Sequence, residues 1–208
     1  MQMKRYVAGL LTAAATAGMA LASQAASAAL ITYTALLSGP AEDPPNASPG
    51  VGSTTVIVDT VAQTLNISVI FSGLVATTAL GAPSGTTVAH IHCCTALPGV
   101  SNAGVATQTP TFGGFPVGVT SGTYNNIFNL TLGSSYNPAF ITANGGTTAL
   151  AETTLLAGLN TGSAYLNIHS TAFPGGEIRG FLQRVPEPGS LALAGLALFG
   201  LVGMRRRK

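Results

Sequence analysis

The fold is decided by the stretch Leu65-Asn66-Ile67-Ser68-Val69-Ile70-Phe71. Successive side chains of a β-strand point to opposite faces, and the apolar residues here recur at every second position. The stretch therefore predicts a half-buried strand, whose buried face carries Leu65, Ile67, Val69 and Phe71. A β-branched run at residues 54–58 precedes it, and the short segment 59–64 between the two runs predicts an antiparallel hairpin.

The same alternation recurs further along the chain. Apolar and polar residues alternate at 127–132 and at 165–169, and a Pro-Gly-Gly turn leads into another alternating arm at 178–182. One helical pattern occurs at residues 148–158, with Thr148 as its expected cap and Gly158 at its expected end. Short strands joined by Gly- and Pro-rich loops predict an all-β fold, a Greek-key antiparallel β-sandwich with one short helix.

The N-terminus carries the features of an export signal. Lys4 and Arg5 precede an apolar run at residues 6–22, and Ala26-Ser27-Ala28 fits the small-x-small pattern of signal-peptide cleavage. We therefore expect residues 1–28 to be a signal peptide, removed on export, and the mature chain to begin near Ala29.

The C-terminus combines three features in a fixed order. Pro186-Glu187-Pro188 is followed by an apolar run at residues 191–204 and by the basic cluster 205–208. This arrangement resembles the PEP-CTERM sorting signal, in which a membrane enzyme, an exosortase, processes the protein at the Pro-Glu-Pro motif. The resemblance implies that residues 185–208 form a sorting and membrane segment with a transmembrane helix. It also implies transient anchoring in the inner membrane and later display at the cell surface or in the extracellular matrix.

The physical properties of this tail agree with the resemblance. Its apolar run is shorter than the roughly 20 residues that a stable transmembrane helix needs. The four basic residues at its end favour a cytoplasmic position, which leaves everything before Pro186 on the far side of the membrane.

Between the two terminal segments lies one predicted domain, residues 29–184. It carries Arg179 and Arg184 against five carboxylates, which leaves a net charge of −3 at pH 7. Its surface must therefore be built largely from Thr, Ser, Asn and Gly. Because the domain has no basic patch, nucleic acid is excluded as a partner.

Two parts of this domain carry a family resemblance. Ala89-His90-Ile91-His92 lies in its first half, and residues 164–170 and 173–180 read Ala-Tyr-Leu-Asn-Ile-His-Ser and Phe-Pro-Gly-Gly-Glu-Ile-Arg-Gly. The combination resembles the CHRD domain, the module named for chordin, from about Leu30 to Arg184. The resemblance implies a secreted, β-rich module and does not imply an enzyme.

Catalytic motifs are missing from the sequence. It contains no Gly-x-Ser-x-Gly elbow and no phosphate-cradling loop, and its few carboxylates offer no clear glycosidase pair. We therefore expect a non-enzymatic exported module that interacts with extracellular polysaccharide or matrix proteins. The alternative is a periplasmic or extracellular protein that binds copper or zinc.

This alternative depends on the three histidines of the chain, His90, His92 and His169. On a strand, His90 and His92 would present two imidazoles on one face, an arrangement suited to a copper or zinc ion. His169 on a neighbouring strand would be the third ligand, and we expect Glu177 and Arg179 to border the same patch. In the other interpretation the histidines are structural and hydrogen-bond loops at one end of the fold.

Cys93 and Cys94 follow the two histidines directly. Secretion places both thiols in an oxidising compartment, and we expect a vicinal disulfide. Neighbouring Cα atoms lie about 3.8 Å apart, below the usual disulfide range of about 4.4–6.8 Å. Free thiols, metal ligation and a cross-link between two chains are the alternatives. On a regular strand, Cys94 would share the face of His90 and His92.

Overall fold

The computed structural model describes residues 30–186, so the predicted signal peptide and most of the predicted sorting segment lie outside the described residues. The strands are β1 (Leu30–Ser38), β2 (Val51–Asp59), β3 (Thr64–Ser72), β4 (Thr86–His92), β5 (Gly122–Asn129), β6 (Tyr165–Ser170), β7 (Ile178–Phe181) and β8 (Gln183–Arg184). The helices are α1 (Pro138–Ala143) and α2 (Thr148–Thr161), with two 3₁₀ turns at Gly39–Ala41 and Gly133–Ser135.

All of these strands belong to one eight-stranded sheet. Its order is β4-β6-β7-β1-β2-β3-β5, with β8 pairing to β1, and every pairing is antiparallel. The predicted all-β class is therefore confirmed. The sheet curls as a half-barrel. Hydrogen bonding between β1 and β7 joins the layers that a sandwich would keep as two separate sheets.

The β2–β3 hairpin forms the centre of the core, as the sequence predicts. The apolar face of β3 is almost fully buried, with exposures of 2% or less for Leu65, Ile67, Val69 and Phe71. The Phe71 ring stacks on Phe115 with 5.6 Å between the ring centroids. The strand predicted at residues 127–132 lies earlier in the chain than expected, because β5 runs over Gly122–Asn129 and the chain then enters a 3₁₀ turn at Gly133–Ser135.

Helix α2 confirms the predicted helix, but its two ends differ from the expected ones. Thr147 rather than Thr148 is the cap, because the Thr147 side chain accepts a hydrogen bond from the N–H of Leu150. The helix ends at Thr161 and is capped by Gly162, whose φ of 69° is the left-handed conformation that glycine adopts without strain.

Gly158, the expected end of the helix, lies inside α2 instead. A side chain at this position would overlap the sulfur atoms of both Cys93 and Cys94, so glycine permits close packing of the helix on the two cysteines. The second helix, α1, was not predicted. It is only six residues long and is capped by Asn137, whose side chain accepts from the N–H of Ala139.

A long loop, residues 93–121, covers the free edge of β4. Backbone N–H groups of Ala106 and Phe112 donate to the carbonyls of Ile91 and Ala89, at 2.9 and 3.2 Å. The loop thereby occupies the hydrogen-bonding positions that an edge strand otherwise leaves open. It also brings loop carbonyls next to the side chains of β4.

Candidate metal centre

Two neighbouring strands carry the three histidines. β4 and β6 are antiparallel, with Val88 opposite His169 and His90 opposite Asn167. Opposed residues of two paired strands share a face, and alternate residues of one strand return to it, so His90, His92 and His169 lie on the same side of the sheet. One ring nitrogen from each histidine lies within 4.8 Å of the others. The structure thus brings together the three histidines that the sequence singled out.

One nitrogen of each imidazole bonds a backbone carbonyl. The pairs are His90 Nε2 with Pro110 at 2.7 Å, His92 Nδ1 with Ala103 at 2.9 Å, and His169 Nδ1 with Pro174 at 2.8 Å. A carbonyl oxygen can only accept, so the nitrogen facing it carries the proton. These bonds fix both the ring orientation and the tautomer of each histidine.

The other nitrogen of each ring makes no hydrogen bond to any residue between 30 and 186. These atoms are His90 Nδ1, His92 Nε2 and His169 Nε2, and all three are buried. A buried acceptor without a partner costs about 1–3 kcal/mol. Metal-ligating histidines generally donate their second ring N–H to a carbonyl or carboxylate, which is the arrangement around these rings. The residues present therefore fit a metal ion with nitrogen ligands.

Burial lowers the pKa of all three histidines. For His92 the pKa falls to about 4, mainly through burial and further through the charges of His169, His90 and Arg179, while the bond to Ala103 opposes the fall. Burial is also the main cause for His90 and His169, and their bonds to backbone carbonyls again oppose it. The three imidazoles are thus neutral near pH 7, so a metal ion would not have to displace protons from them.

Aromatic rings enclose the cluster on two sides. Tyr165 stacks on His92 with 4.8 Å between ring centroids and 7° between the planes. Phe112, which is fully buried, lies 6.4 Å from His90 between centroids. The guanidinium of Arg179 sits 4.8 Å above the Tyr165 ring, on which it makes a cation–π contact.

Arg179 borders the cluster, as the sequence analysis expects, and is paired with Glu42. Both are buried, and the Arg179 Nε lies 3.8 Å from Oε2 of Glu42. The guanidinium also donates to the Ala41 carbonyl at 2.5 Å and to Oδ1 of Asn102 at 2.6 Å. Burial raises the pKa of Glu42 to about 7, although Arg179 and Asn167 oppose the rise. These contacts hold the positive charge of Arg179 beside Tyr165, the ring that stacks on His92.

Glu177 has a different role from the expected one beside the histidines. Its Oε1 accepts from the Ser48 hydroxyl and from the N–H of Val75, both at 2.6 Å, and it is fully buried. Within residues 30–186, the one group of three or more potential metal ligands consists of the histidines alone. Glu177 therefore holds two loops against the start of β7 in this structure.

The two cysteines lie apart from the histidine cluster. Their sulfur atoms are bonded to each other as a vicinal disulfide, and both contact α2 at Gly158. β4 ends at His92, so the strand alternation stops before Cys93. The expectation that Cys94 would share the face of His90 and His92 is wrong for this reason, and neither sulfur joins the converging ligand atoms.

Sequence reasoning missed the residues that orient the histidines. Tyr165 alternates in phase with His169 on β6, and that alternation was a usable signal for its position beside the cluster. The carbonyls of Ala103 and Pro110 belong to the loop 93–121, where no periodic pattern indicates which groups face the sheet. Backbone carbonyls carry no residue-type signal at all.

Fold and site together define a β-rich domain with a buried histidine cluster. The chain belongs to the CHRD domain family, which matches residues 33–182. Residues 184–208 match the PEP-CTERM protein-sorting motif, so both resemblances are confirmed. The motif marks an exported protein that is sorted to the cell envelope by an exosortase-type enzyme. No curated protein and no solved structure matches the chain.

The sorting motif itself falls mostly outside the described residues. Pro186 is the last residue described, and Glu187, Pro188 and the predicted membrane helix lie beyond it. Between residues 30 and 186, no helix is long and apolar enough to cross a membrane. The division of the chain at residues 28 and 184 stays a prediction.

Proposed function

We propose that this exported CHRD domain protein binds one copper or zinc ion through His90, His92 and His169. The observation that carries the proposal is the convergence of three imidazoles, each with one buried nitrogen that lacks a hydrogen-bond partner. Copper and zinc both accept imidazole nitrogen as a ligand. The low pKa values of the three rings support the proposal, because the lone pairs are available at neutral pH.

A purely structural role explains only half of this arrangement. The bonds to loop carbonyls use one nitrogen of each ring, and an asparagine or glutamine could make the same bonds. The second nitrogens would then remain three unpaired buried acceptors, each destabilising by about 1–3 kcal/mol. A cation shared between them satisfies all three together.

We further propose that the ion is held rather than used for catalysis. The histidines are only 5, 8 and 9% exposed, and the rings of Tyr165 and Phe112 border them. This enclosure leaves little access for a substrate, whereas catalytic zinc sites keep an open coordination position.

A second candidate function, a surface or matrix interaction module, is favoured by a row of polar residues across strands β1, β2, β3 and β5. Four uncharged polar residues lie opposite one another across β1, β2, β3 and β5, in the order Thr34, Thr55, Ser68 and Asn125. Paired strands are about 4.8 Å apart, so the row presents regularly spaced polar groups to a polysaccharide or matrix protein, with the Asn125 amide donating to the Ser68 hydroxyl inside the row. This role suits a protein that is displayed at the cell surface or released into the matrix.

Metal analysis of matched variants tests the first proposal. His90→Gln keeps a donor near the Pro110 carbonyl, and His92→Asn and His169→Asn keep donors near Ala103 and Pro174, while each removes one imidazole ligand. The secreted protein, equilibrated with copper or zinc and then desalted, should retain one ion per chain. Each variant should fold and lose affinity by at least about 100-fold, since even outer-shell changes cost 10–100-fold.

Equal metal retention by the wild type and by a variant that combines His90→Gln, His92→Asn and His169→Asn would overturn the metal proposal. The interaction role is tested separately by co-sedimentation with polysaccharide from the producing cells. Thr55→Glu and Ser68→Glu introduce charge into the polar row and should reduce co-sedimentation, whereas the histidine variants should not. Unchanged co-sedimentation of the two glutamate variants would remove the support that the row provides.

A further inference from the structure

We infer that the three-histidine site selects a monovalent ion, Cu(I), over Zn²⁺ and Cu(II). The inference rests on the proposed metal-binding function and adds the charge and coordination number of the ion. Three properties of the site support it independently: the number of donors, the exclusion of water and the local charge.

The number of donors favours an ion that is satisfied by three ligands. Zinc in proteins is almost always four-coordinate, and Cu(II) prefers a tetragonal arrangement. Among the described residues, no carboxylate or thiolate joins the three histidine nitrogens. The disulfide contacts α2, and both amide atoms of Asn167 lie beside Gly176, with the nitrogen 3.5 Å from Oε2 of Glu42 and the oxygen without a hydrogen-bond partner among the described residues. Copper accepts imidazole nitrogen as a ligand, and Cu(I), unlike Zn²⁺, forms stable complexes with only three donors.

The surroundings disfavour water as a fourth ligand. The three histidines are almost fully buried, with His169 the most exposed at 9%. The Tyr165 ring lies flat on His92, and the fully buried Phe112 lies beside His90. A water molecule is stable in a buried site only if it finds two to four polar partners, and these aromatic faces provide none. The two aromatic faces thus disfavour a water molecule as the fourth ligand of a four-coordinate ion.

The local charge favours the smaller ionic charge. None of the three ligands is an anion, and the charge of the nearby Glu42 carboxylate is offset by Arg179, whose guanidinium sits above the ring that stacks on His92. Moving an ion from water into a protein interior is costly, and this solvation penalty rises with the square of the charge. A divalent ion would thus meet about four times the penalty of a monovalent one, without an anionic ligand to offset it.

Competition titrations on the secreted protein test the selection. Cu(I) is titrated without oxygen against bicinchoninate, Zn²⁺ is titrated against a chromophoric chelator, and the wild type is compared with His92→Asn. We expect one Cu(I) per chain, bound at least about 100-fold more tightly than Zn²⁺ and lost in the variant by a similar factor. X-ray absorption of the copper-loaded protein should give three nitrogen neighbours near 2.0 Å.

The outcomes separate this inference from the proposed function. If Zn²⁺ binds the wild type as tightly as Cu(I), and His92→Asn abolishes that binding, the selection is refuted and the metal-binding proposal stands. A stable four-coordinate Cu(II) signal after exposure to air would refute it equally. If neither ion distinguishes the wild type from His92→Asn, the proposed function itself fails.

A charge variant tests the third argument alone. Arg179→Gln removes the positive charge and should raise Zn²⁺ affinity more than Cu(I) affinity, which narrows the preference. Because this change leaves Glu42 buried without its partner, Arg179→Gln/Glu42→Gln serves as the matched control that removes both charges of the pair. In the double variant, the ratio of Cu(I) affinity to Zn²⁺ affinity should stay within about tenfold of the wild-type ratio, a difference of about 1.4 kcal/mol. A preference that narrows equally in both variants would contradict the charge argument.

Discussion

Replacing Gly158 by alanine tests the packing of α2 against the two cysteines, because two opposing effects act at this position. Alanine is the better helix former and should stabilise the helix by about 1 kcal/mol. Its Cβ, however, would overlap the sulfur atoms of both Cys93 and Cys94, which are bonded to each other and cannot move apart. Overpacking in a filled core destabilises by about 1–3 kcal/mol, and contact with two sulfurs places the effect at the upper end.

We therefore expect Gly158→Ala to lower the free energy of unfolding by about 2 kcal/mol, or the melting temperature by about 4–8 °C in a domain of this size. Urea unfolding measures this change. Ala157→Gly, at the exposed position one residue away, measures the effect of helix propensity alone. It should lower the free energy of unfolding by about 1 kcal/mol.

The sign should reverse when the sulfurs are removed. In a Cys93→Ala/Cys94→Ala background the overlap disappears, and Gly158→Ala should then stabilise by about 1 kcal/mol. The reasoning is refuted if Gly158→Ala stabilises the wild type, or if its effect is the same in both backgrounds.

Three further predictions concern the core, the histidines and the tail. Phe71→Ala should lower the free energy of unfolding by about 3–5 kcal/mol in urea denaturation, because the ring is 2% exposed and stacks on Phe115; a loss below about 1 kcal/mol would contradict this. The pKa of His92 is about 4 in the folded protein against 6.5 as the reference, so the unfolded state binds more protons below pH 6.5. Stability should therefore fall as the pH drops from about 6.5 to about 4, with a shallower fall in His92→Asn; identical pH profiles would contradict the assignment. Replacing Pro186-Glu187-Pro188 by alanines should leave the basic C-terminal cluster on the protein and keep it in the membrane fraction, as measured by mass spectrometry. A secreted wild-type protein that retains this cluster would contradict processing at the motif.

The sequence predicted which faces of the strands are buried but not how the strands join. Alternation from Leu65 to Phe71 places those side chains correctly because the period of a strand is a local property. Nothing local records that β7 pairs with β1, and this single contact turns two expected layers into one curled sheet. Long-range pairing depends on packing that no short stretch encodes.

The candidate site, like the fold, could be predicted from the sequence only in part. Its three histidines were found because imidazole is a rare and chemically distinctive side chain, and the convergence of His169 with His90 follows from adjacent strands. The carbonyls that orient them come from an irregular loop and could not be found. Gly158 was misassigned because glycine serves both to end helices and to allow close contacts, and the sequence does not distinguish these uses.

The pairing of β8 with β1 has a consequence for how the domain is presented. Arg184 lies opposite Tyr33, so the points where the two terminal segments attach are next to each other at one end of the sheet. The histidine cluster is at the other end of the sheet. Its position follows from the strand pairing, in which His90 is opposite Asn167, Asn167 is opposite Arg179, and Arg179 is opposite Ser38, the last residue of β1. At about 3.4 Å per residue, Ser38 lies about 27 Å along β1 from Leu30 and about 17 Å from Tyr33, the partner of Arg184. A chain tethered by either terminus would therefore carry its histidine cluster at the end of the sheet remote from the attachment point.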